Sequence, residues 1–243
     1  MKISLCGSTV FFGLVLGLAS TVPAANLVSN GDFTSYSGSA ITAGHKGQLS
    51  SHVPTGWSIS NTVQFSALDT PGSATSGTGG YAVYGPFNDP PVSGNFIQMD
   101  GDSRYGKALS QQIDNLMVGH QYTLSFYQAA GQQTGFDGPT TEKWQVSFGG
   151  DTQDSFKYSL ASHGVGDWMS QSMTFTAKSG SEILSFLAVG TPNGVPPTVF
   201  LAGVDMEDTT PSSSVPEPSS VVTLLIGVAG VAGSALRRRF KAA

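Results

Sequence analysis

Closely spaced aspartates are the residues of this sequence that come nearest to a catalytic arrangement. Asp100 and Asp102 would point to the same side of an extended stretch, and Asp151 and Asp154 lie near a predicted turn. A glycoside hydrolase needs two carboxyl groups that flank the scissile bond. Such pairs are also common in loops, where an aspartate closes an Asx turn. We therefore predict a protein that is not an enzyme and has no catalytic residues, and we keep a secreted glycoside hydrolase using Asp100 or Asp102 as an alternative.

Other signatures of catalysis and metal binding do not occur in the sequence. There is no Gly-x-Ser-x-Gly elbow, no His-Glu-x-x-His pair and no phosphate-binding loop. The only cysteine, Cys6, precedes the first apolar run, so the chain after that run has no thiol for a disulfide, a zinc site or a nucleophile. The four histidines stand without ligand spacing, at His45, His52, His120 and His163.

Aromatic residues beside Gly- and Pro-rich segments are the candidate ligand-contacting side chains. Sugar rings have apolar C–H faces that stack on aromatic rings, while amides and charged groups bond the hydroxyls. The candidate carbohydrate-binding residues are Trp57, Tyr81, Tyr84, Phe87 and Tyr105. Asn88, Gln98 and Arg104 lie close to them in sequence. Packing in the core remains the alternative for each ring, and it is the interpretation for Trp144 and Trp168.

Strands that could position these side chains are predicted from period-two alternation of apolar and polar residues. The predicted buried faces are Tyr122, Leu124 and Phe126; Trp144, Val146 and Phe148; Met169, Met173 and Phe175; Leu184 and Phe186; and Phe200, Val204 and Met206. Gly- and Asn-containing turns separate these strands, which favours an antiparallel β-sandwich. Two long stretches, Leu68 to Gly80 and Tyr84 to Gly94, are predicted surface loops, either ligand-binding or simply solvated.

Composition and charge agree with one exported all-β domain. The 243 residues include 31 glycines, and only 11% are charged, which is typical of short strands joined by turns. Between Asn26 and Ser219, six basic residues stand against 16 acidic ones, a net charge of −10. Such a domain repels polyanions, so nucleic acid is excluded as a partner, while neutral glycans are not.

Both ends of the chain carry targeting features. Lys2, an apolar run from Val10 to Leu18, and small residues ending at Ala25 predict a signal peptide cut by signal peptidase. Near the other end, Val221 to Leu236 is free of charge and would form a helix of ~24 Å, somewhat shorter than a bilayer core of ~30 Å. The predicted organisation is a signal peptide at 1–25, a β-sandwich domain at 26–208, a Pro/Ser linker at 209–220, a transmembrane helix at 221–236 and a basic cytoplasmic tail at 237–243.

This ending resembles the PEP-CTERM sorting signal of Gram-negative bacteria. The resemblance rests on the ordered tripeptide Pro216-Glu217-Pro218, the short apolar segment and the terminal cluster Arg237, Arg238 and Arg239. It implies recognition and cleavage near the tripeptide by an exosortase, after an inner-membrane intermediate whose domain faces the periplasm. Transfer to the cell surface or release outside the cell would follow, in a host that makes exopolysaccharide and biofilm.

The middle of the chain resembles galactose-binding-like jelly-roll domains, which include carbohydrate-binding modules. The matching pieces occur in order over most of residues 26–208 and begin with Asn26-Leu27-Val28-Ser29-Asn30-Gly31-Asp32-Phe33 and Pro54-Thr55-Gly56-Trp57. They continue with Gly94 to Gly101, Ser110 to Ile113, Gly119 to Phe126 and Phe200 to Met206.

Many members of that family hold a structural calcium through a Glu after the first-strand Phe and an Asp near the last motif. Those places are Thr34 and Ala202 here, so Asp32 and Asp205 remain as weak candidate metal ligands. Taken together, the sequence predicts an exported cell-surface or extracellular-matrix protein that binds carbohydrate, with exopolysaccharide as its partner. A self-associating structural matrix protein is the alternative from a different class.

Overall fold

The structure is a computed structural model that describes residues 25–59, 65–77 and 81–211. The predicted signal peptide up to Ala24, the Pro216–Pro218 tripeptide, the C-terminal helix and the basic tail lie outside the described residues. In the described ranges, none of the chain forms a helix long and apolar enough to span a bilayer. One compact unit ends at Asp208, and Thr209–Ala243 is a separate unit.

The described residues form eleven strands and no α-helix. The strands are β1 (Lys46–Gln48), β2 (Ser66–Asp69), β3 (Phe96–Asp100), β4 (Ala108–Asp114), β5 (Gln121–Gln132), β6 (Thr140–Phe148), β7 (Asp151–Asp154), β8 (Tyr158–Leu160), β9 (Val165–Thr176), β10 (Ser181–Thr191) and β11 (Pro197–Asp208). A first sheet has the order β1-β2-β3-β11-β5-β9, and a second has the order β4-β10-β6-β7, with β8 also paired to β6. Every pairing is antiparallel, so the predicted all-β antiparallel sandwich is confirmed.

The main core lies between the two sheets and uses the alternating faces that the sequence predicts, except that Met169 is only half-buried. In β6 the residues Trp144, Val146 and Phe148 are buried while their neighbours are not. Phe186 of β10 packs edge-on against Trp144, with ring centroids 6.0 Å apart. The Trp144 indole N–H donates to the carbonyl of Phe200 at 3.0 Å, which satisfies its polar atom inside the core.

The predicted face of β11 is wrong in one respect. Phe200 does not share a face with Val204 and Met206, because the pairing of β11 with β5 shifts register between Ala202 and Asp205. Val204 and Met206 belong to the main core, whereas Phe200 packs on the other side of the sheet. A β-bulge inserts one residue and so reverses which side of the sheet each later side chain faces.

The first predicted loop begins too early, because Leu68 and Asp69 complete β2 and are fully buried. Residues 70–77 and 81–95, here called the covering segment, fold over the outer face of the first sheet. Their contacts create a second, smaller core around Ala74, Val83, Phe96, Ala129, Phe200 and Ala202. The part of the outer face around Phe96, Ala129 and Phe200 is therefore closed to solvent, while outward residues of β9 stay exposed.

Candidate functional site

Trp57, one of the predicted carbohydrate-binding residues, is buried in the structure. Its side chain is 5% exposed, and its ring lies between Phe33, at 5.4 Å, and Phe186, at 6.2 Å between centroids. The indole N–H donates to the carbonyl of Asn30 at 3.2 Å. Trp57 therefore packs in the core and offers no face to a ligand.

Tyr84 and Phe87 lie in two other environments. The Tyr84 ring stacks on His163 with centroids 4.1 Å apart, and the His163 Nε2 lies 2.6 Å from a carboxylate oxygen of Asp137. Phe87 belongs to the covering segment and packs against Phe200, at 4.5 Å between centroids. Each ring thus has a packing role, and the structure does not bring the two into contact with Tyr105.

Tyr81 and Tyr105 do come together, through the ring of Phe65, which is not among the predicted site residues. Phe65 lies 4.9 Å from Tyr81 and 4.5 Å from Tyr105 between centroids, and all three rings are partly exposed. The Arg104 guanidinium carbon lies 5.4 Å from the centre of the Tyr105 ring. These four residues, here called the aromatic patch, combine stacking surface with N–H donors.

Phe65 is held in an unfavourable backbone conformation. Its φ is +52°, a region that bulky residues rarely adopt. The Phe65 carbonyl accepts a hydrogen bond from the N–H of Asp100 at 3.1 Å, which fixes this conformation at the start of β2. Such strain persists only where the surroundings impose it, and it is enriched at functional sites.

A chain of polar contacts beneath the patch fixes Arg104. Asp100 Oδ1 accepts from the N–H of Asp102 at 2.8 Å, and Asp102 Oδ1 accepts from the N–H of Arg104 at 2.9 Å, so two Asx turns follow one another. The Arg104 Nε and Nη2 also donate to the Asp102 carboxylate, and the N–H of Gly194 adds a bond of 2.8 Å. The Asp102 side chain is 1% exposed and that of Arg104 is 52% exposed. The guanidinium is thus anchored on one edge and open on the other.

The two aspartates have different protonation behaviour. The hydrogen bonds from Arg104 lower the pKa of Asp102 to about 2, which keeps this carboxylate charged and committed to its partner. Burial raises the pKa of Asp100 to about 6, and its Oδ2 has no hydrogen-bond partner. Both carboxyl groups are buried, so the pair lacks the solvent-facing arrangement across a cleft that glycoside hydrolysis requires.

The other aspartate pair, Asp151 and Asp154, is engaged with lysines. Asp151 lies 2.6 Å from the Lys178 Nζ, and Asp154 pairs with Lys143. These are exposed contacts between neighbouring turns and strands, and such contacts contribute little to stability. Each carboxylate therefore has a cation beside it rather than a second carboxyl group.

A groove on the outer face of the second sheet is a less convincing ligand site. It has a volume of about 650 Å³ and is lined by hydroxyl and amide side chains such as Gln112, Ser147 and Ser185. Its lining contains no aromatic residue. Hydroxyl groups alone exchange bonds with water at little net gain, so the aromatic patch is the stronger candidate.

Asp32 and Asp205 line one cavity of about 370 Å³, but the residues around them do not fit a calcium ion. Calcium needs six to eight oxygens. The Asn26 Oδ1 already accepts from the N–H groups of Val28 and Met206, and Thr34 donates to Asp32. Across the described ranges, no group of three or more His, Cys, Asp or Glu side chains could hold a metal ion.

Comparison with known families identifies the C-terminal motif. The PEP-CTERM protein-sorting motif matches residues 214–239, so the chain carries a sorting signal for export and passes through a membrane-anchored intermediate before processing. No curated protein matches the sequence.

Solved structures that resemble the domain include three whose names refer to sugar binding. TmCBM61 in complex with β-1,4-galactotriose is 12% identical, with 76% of this chain and 99% of that chain covered and a TM-score of 0.44. The CBM22-1 xylan-binding domain of Xyn10C from Paenibacillus barcinonensis is 13% identical, with coverage of 71% and 100% and a TM-score of 0.36. A putative sugar-binding protein from Bacteroides thetaiotaomicron is 13% identical, with coverage of 76% and 100% and a TM-score of 0.33. At these values the likeness bears on neither the ligand nor the role of any residue.

Proposed function

We propose that this chain is an exported, non-enzymatic surface or matrix protein that binds polysaccharide through its aromatic patch. The observation that carries the proposal is the contact of Phe65, Tyr81 and Tyr105 beside the anchored guanidinium of Arg104. Partly exposed rings in mutual contact present apolar faces to a sugar ring, and the free edge of Arg104 can donate to its hydroxyls.

Charge favours a neutral polysaccharide over a polyanion. Arg104 is the cation of the patch, and the buried carboxylate of Asp102 offsets it. The net charge of −10 between Asn26 and Ser219 repels anionic chains at longer range. Stacking on apolar sugar faces does not depend on charge, so binding of a neutral glycan should change little with salt concentration.

The ends of the chain would direct the domain to its place of action. In this proposal signal peptidase removes residues 1–25, the segment 221–236 stops transfer in the inner membrane, and Arg237, Arg238 and Arg239 stay in the cytoplasm. An exosortase then cleaves near Pro216, Glu217 and Pro218, which frees residues 26–208 with part of the linker at 209–220. The host's own exopolysaccharide is the expected ligand.

The test is a binding measurement on residues 26–211 with the host exopolysaccharide and a panel of neutral polysaccharides. Tyr105→Ala removes the ring that contacts both Phe65 and Arg104 and should weaken binding by about two- to tenfold, since an aromatic contact contributes roughly 0.5–1.5 kcal/mol beyond the area that it buries. Phe156→Ala is the matched control, because Phe156 is 52% exposed but lies outside the patch. If both variants bind like the wild type, or if nothing binds, the aromatic patch is not a glycan site.

Self-association is the second candidate, and β9 is the observation that favours it. This strand of 12 residues ends the first sheet and pairs with β5. An end strand of this length can add a strand from another copy. Sedimentation at high protein concentration would then show dimers or larger species, whereas a monomer throughout would count against this function.

A further inference from the structure

Lys46 and Asp69 form an ion pair that is completely enclosed by the protein. They are direct cross-strand neighbours on β1 and β2, and both side chains are 0% exposed. The Lys46 Nζ lies 3.1 Å from the Asp69 Oδ1. The covering segment lies over them, because the carbonyl oxygens of Ala74 and Tyr81 accept from the same amine at 3.1 and 2.9 Å.

This enclosure disfavours the charged forms of both groups. Burial lowers the pKa of Lys46 and raises the pKa of Asp69, and the mutual attraction of the pair opposes both shifts. One oxygen of Asp69, Oδ2, has no hydrogen-bond partner. A buried ion pair with an unpaired oxygen carries a large desolvation cost in free energy. Conversion of the pair to a neutral group would remove that cost.

The surroundings also hold the two groups in register. The Ser73 hydroxyl donates to the Asp69 Oδ1 at 2.7 Å, which polarises that carboxyl group. The Gln98 Oε1 accepts from the Lys46 Nζ at 2.9 Å, while its amide donates to the carbonyl of Tyr81 at 2.7 Å. Two reactive groups that are fixed at contact distance react with a high effective concentration.

We propose that Lys46 and Asp69 condense to an intramolecular isopeptide bond. The neutral Lys46 amine attacks the carboxyl carbon of protonated Asp69, and a new amide bond joins Nζ to that carbon. The Oδ2 leaves as water with the carboxyl proton and one amine proton, so no oxidant or other reactant is consumed. The Oδ1 becomes the amide oxygen and keeps the Ser73 hydrogen bond, while the remaining N–H donates to one of the nearby carbonyl oxygens.

Such a bond would give this domain a covalent link that needs no cysteine. The only thiol of the chain is Cys6, within the predicted signal peptide. The link would join β1 to β2 beneath the covering segment, and residues 47–68 would form a closed loop. Cross-linking of this kind stabilises a fold mainly by restricting the unfolded chain.

Mass spectrometry of the full-length chain tests the proposal. The protein should be lighter than its sequence by the mass of one water, and trypsin should fail to cut after Lys46. The tryptic peptide that reaches Arg104 would then contain both residues, and a second cut with chymotrypsin should leave a branched peptide that joins them. A mass equal to that of the sequence, with normal cleavage after Lys46, overturns the proposal.

Variants and internal controls locate the loss of water. Lys46→Arg and Asp69→Ala should restore the full mass. Asp69→Asn should give the same linked product as the wild type, because ammonia then leaves in place of water. Should any variant fail to fold, the wild-type peptide alone decides. Water loss mapped to Asp100-Gly101 or Asp137-Gly138 would instead be succinimide formation, and it would count against the proposal.

Discussion

Glu142 should make the stability of the domain fall as the pH rises. It lies on the inward face of β6 and is fully buried. Neither of its carboxyl oxygens has a hydrogen-bond partner. Burial raises the pKa of Glu142 from 4.5 to about 8.

The size and sign of the effect follow from that shift. The folded protein holds a proton on Glu142 between pH 4.5 and about 8, whereas the unfolded chain has released it. The contribution to stability is complete below pH 4.5 and is lost as the pH rises towards 8. Because one pKa unit corresponds to about 1.4 kcal/mol, the whole change is about 5 kcal/mol. Small domains have free energies of unfolding of about 5–15 kcal/mol, so the change should be easy to measure.

The assay is urea unfolding of the wild type and Glu142→Gln between pH 4.5 and 9. Glutamine has the shape of the protonated acid and does not titrate. The free energies of unfolding of the two proteins should therefore differ least at pH 4.5. The variant should then gain on the wild type by up to about 5 kcal/mol near pH 8. Asp69 and Asp100 also have raised pKa values, but they occur in both proteins and cancel in the difference.

Asp114→Asn is the matched control. Hydrogen bonds from Ser181 and Gln112 lower the pKa of the exposed Asp114, so its contribution is present above pH 3.8 and is lost as the pH falls. The free energies of unfolding of Asp114→Asn and the wild type should therefore differ by the same amount from pH 4.5 to 9. Parallel stability curves for the wild type and Glu142→Gln would refute the assignment of a protonated acid to this position.

Three further substitutions test the packing and the patch. Trp57→Ala should lower the free energy of unfolding by about 3–5 kcal/mol in urea titrations, because it empties a core position; a loss below about 1 kcal/mol would contradict the core placement. Gly31→Ala should destabilise by more than about 2 kcal/mol, since the added carbon would lie 1.9 Å from the carbonyl oxygen of Val204; unchanged unfolding would show that the turn at Gly31 can move away from β11. Asp102→Asn should release the Arg104 guanidinium and weaken glycan binding several-fold in protein that circular dichroism shows to be folded, and undiminished affinity would separate Arg104 from the binding site.

The sandwich could be predicted from the sequence because its core strands alternate so regularly. Trp144, Val146 and Phe148 repeat every second residue, and the repeat alone gives their shared burial. The register shift in β11 escaped prediction because Gly203 resembles an ordinary strand glycine. Its φ of +57° and the reversal of faces that follows depend on the pairing with β5.

The patch was harder to predict because its members come from separate loops. The Gly- and Pro-rich loops that they flank make Tyr81 and Tyr105 predictable as candidates, with Trp57 as a further candidate. Burial of Trp57 depends on Phe33 and Phe186, which are distant in sequence. Phe65 had no distinguishing local signal, since a phenylalanine before a short strand is ordinarily a core residue.

Ring surface remains accessible at the patch although the covering segment closes part of the first sheet. This segment closes one part of the outer face and buries Phe96 and Phe200 beneath its own apolar residues. The second sheet has an open outer groove, but its lining contains no aromatic ring. Phe65 and Tyr105 lie outside the covering segment. Tyr81 belongs to the segment, but its ring packs against Phe65 rather than in the second core, so all three rings stay partly exposed. A variant that creates a sugar-stacking surface in this groove must introduce a ring, for example at exposed Ile183. Ile183→Trp should create measurable glycan binding in a Tyr105→Ala background if stacking is what limits affinity, and no gain in binding would show that the arrangement around Arg104 matters more than ring area.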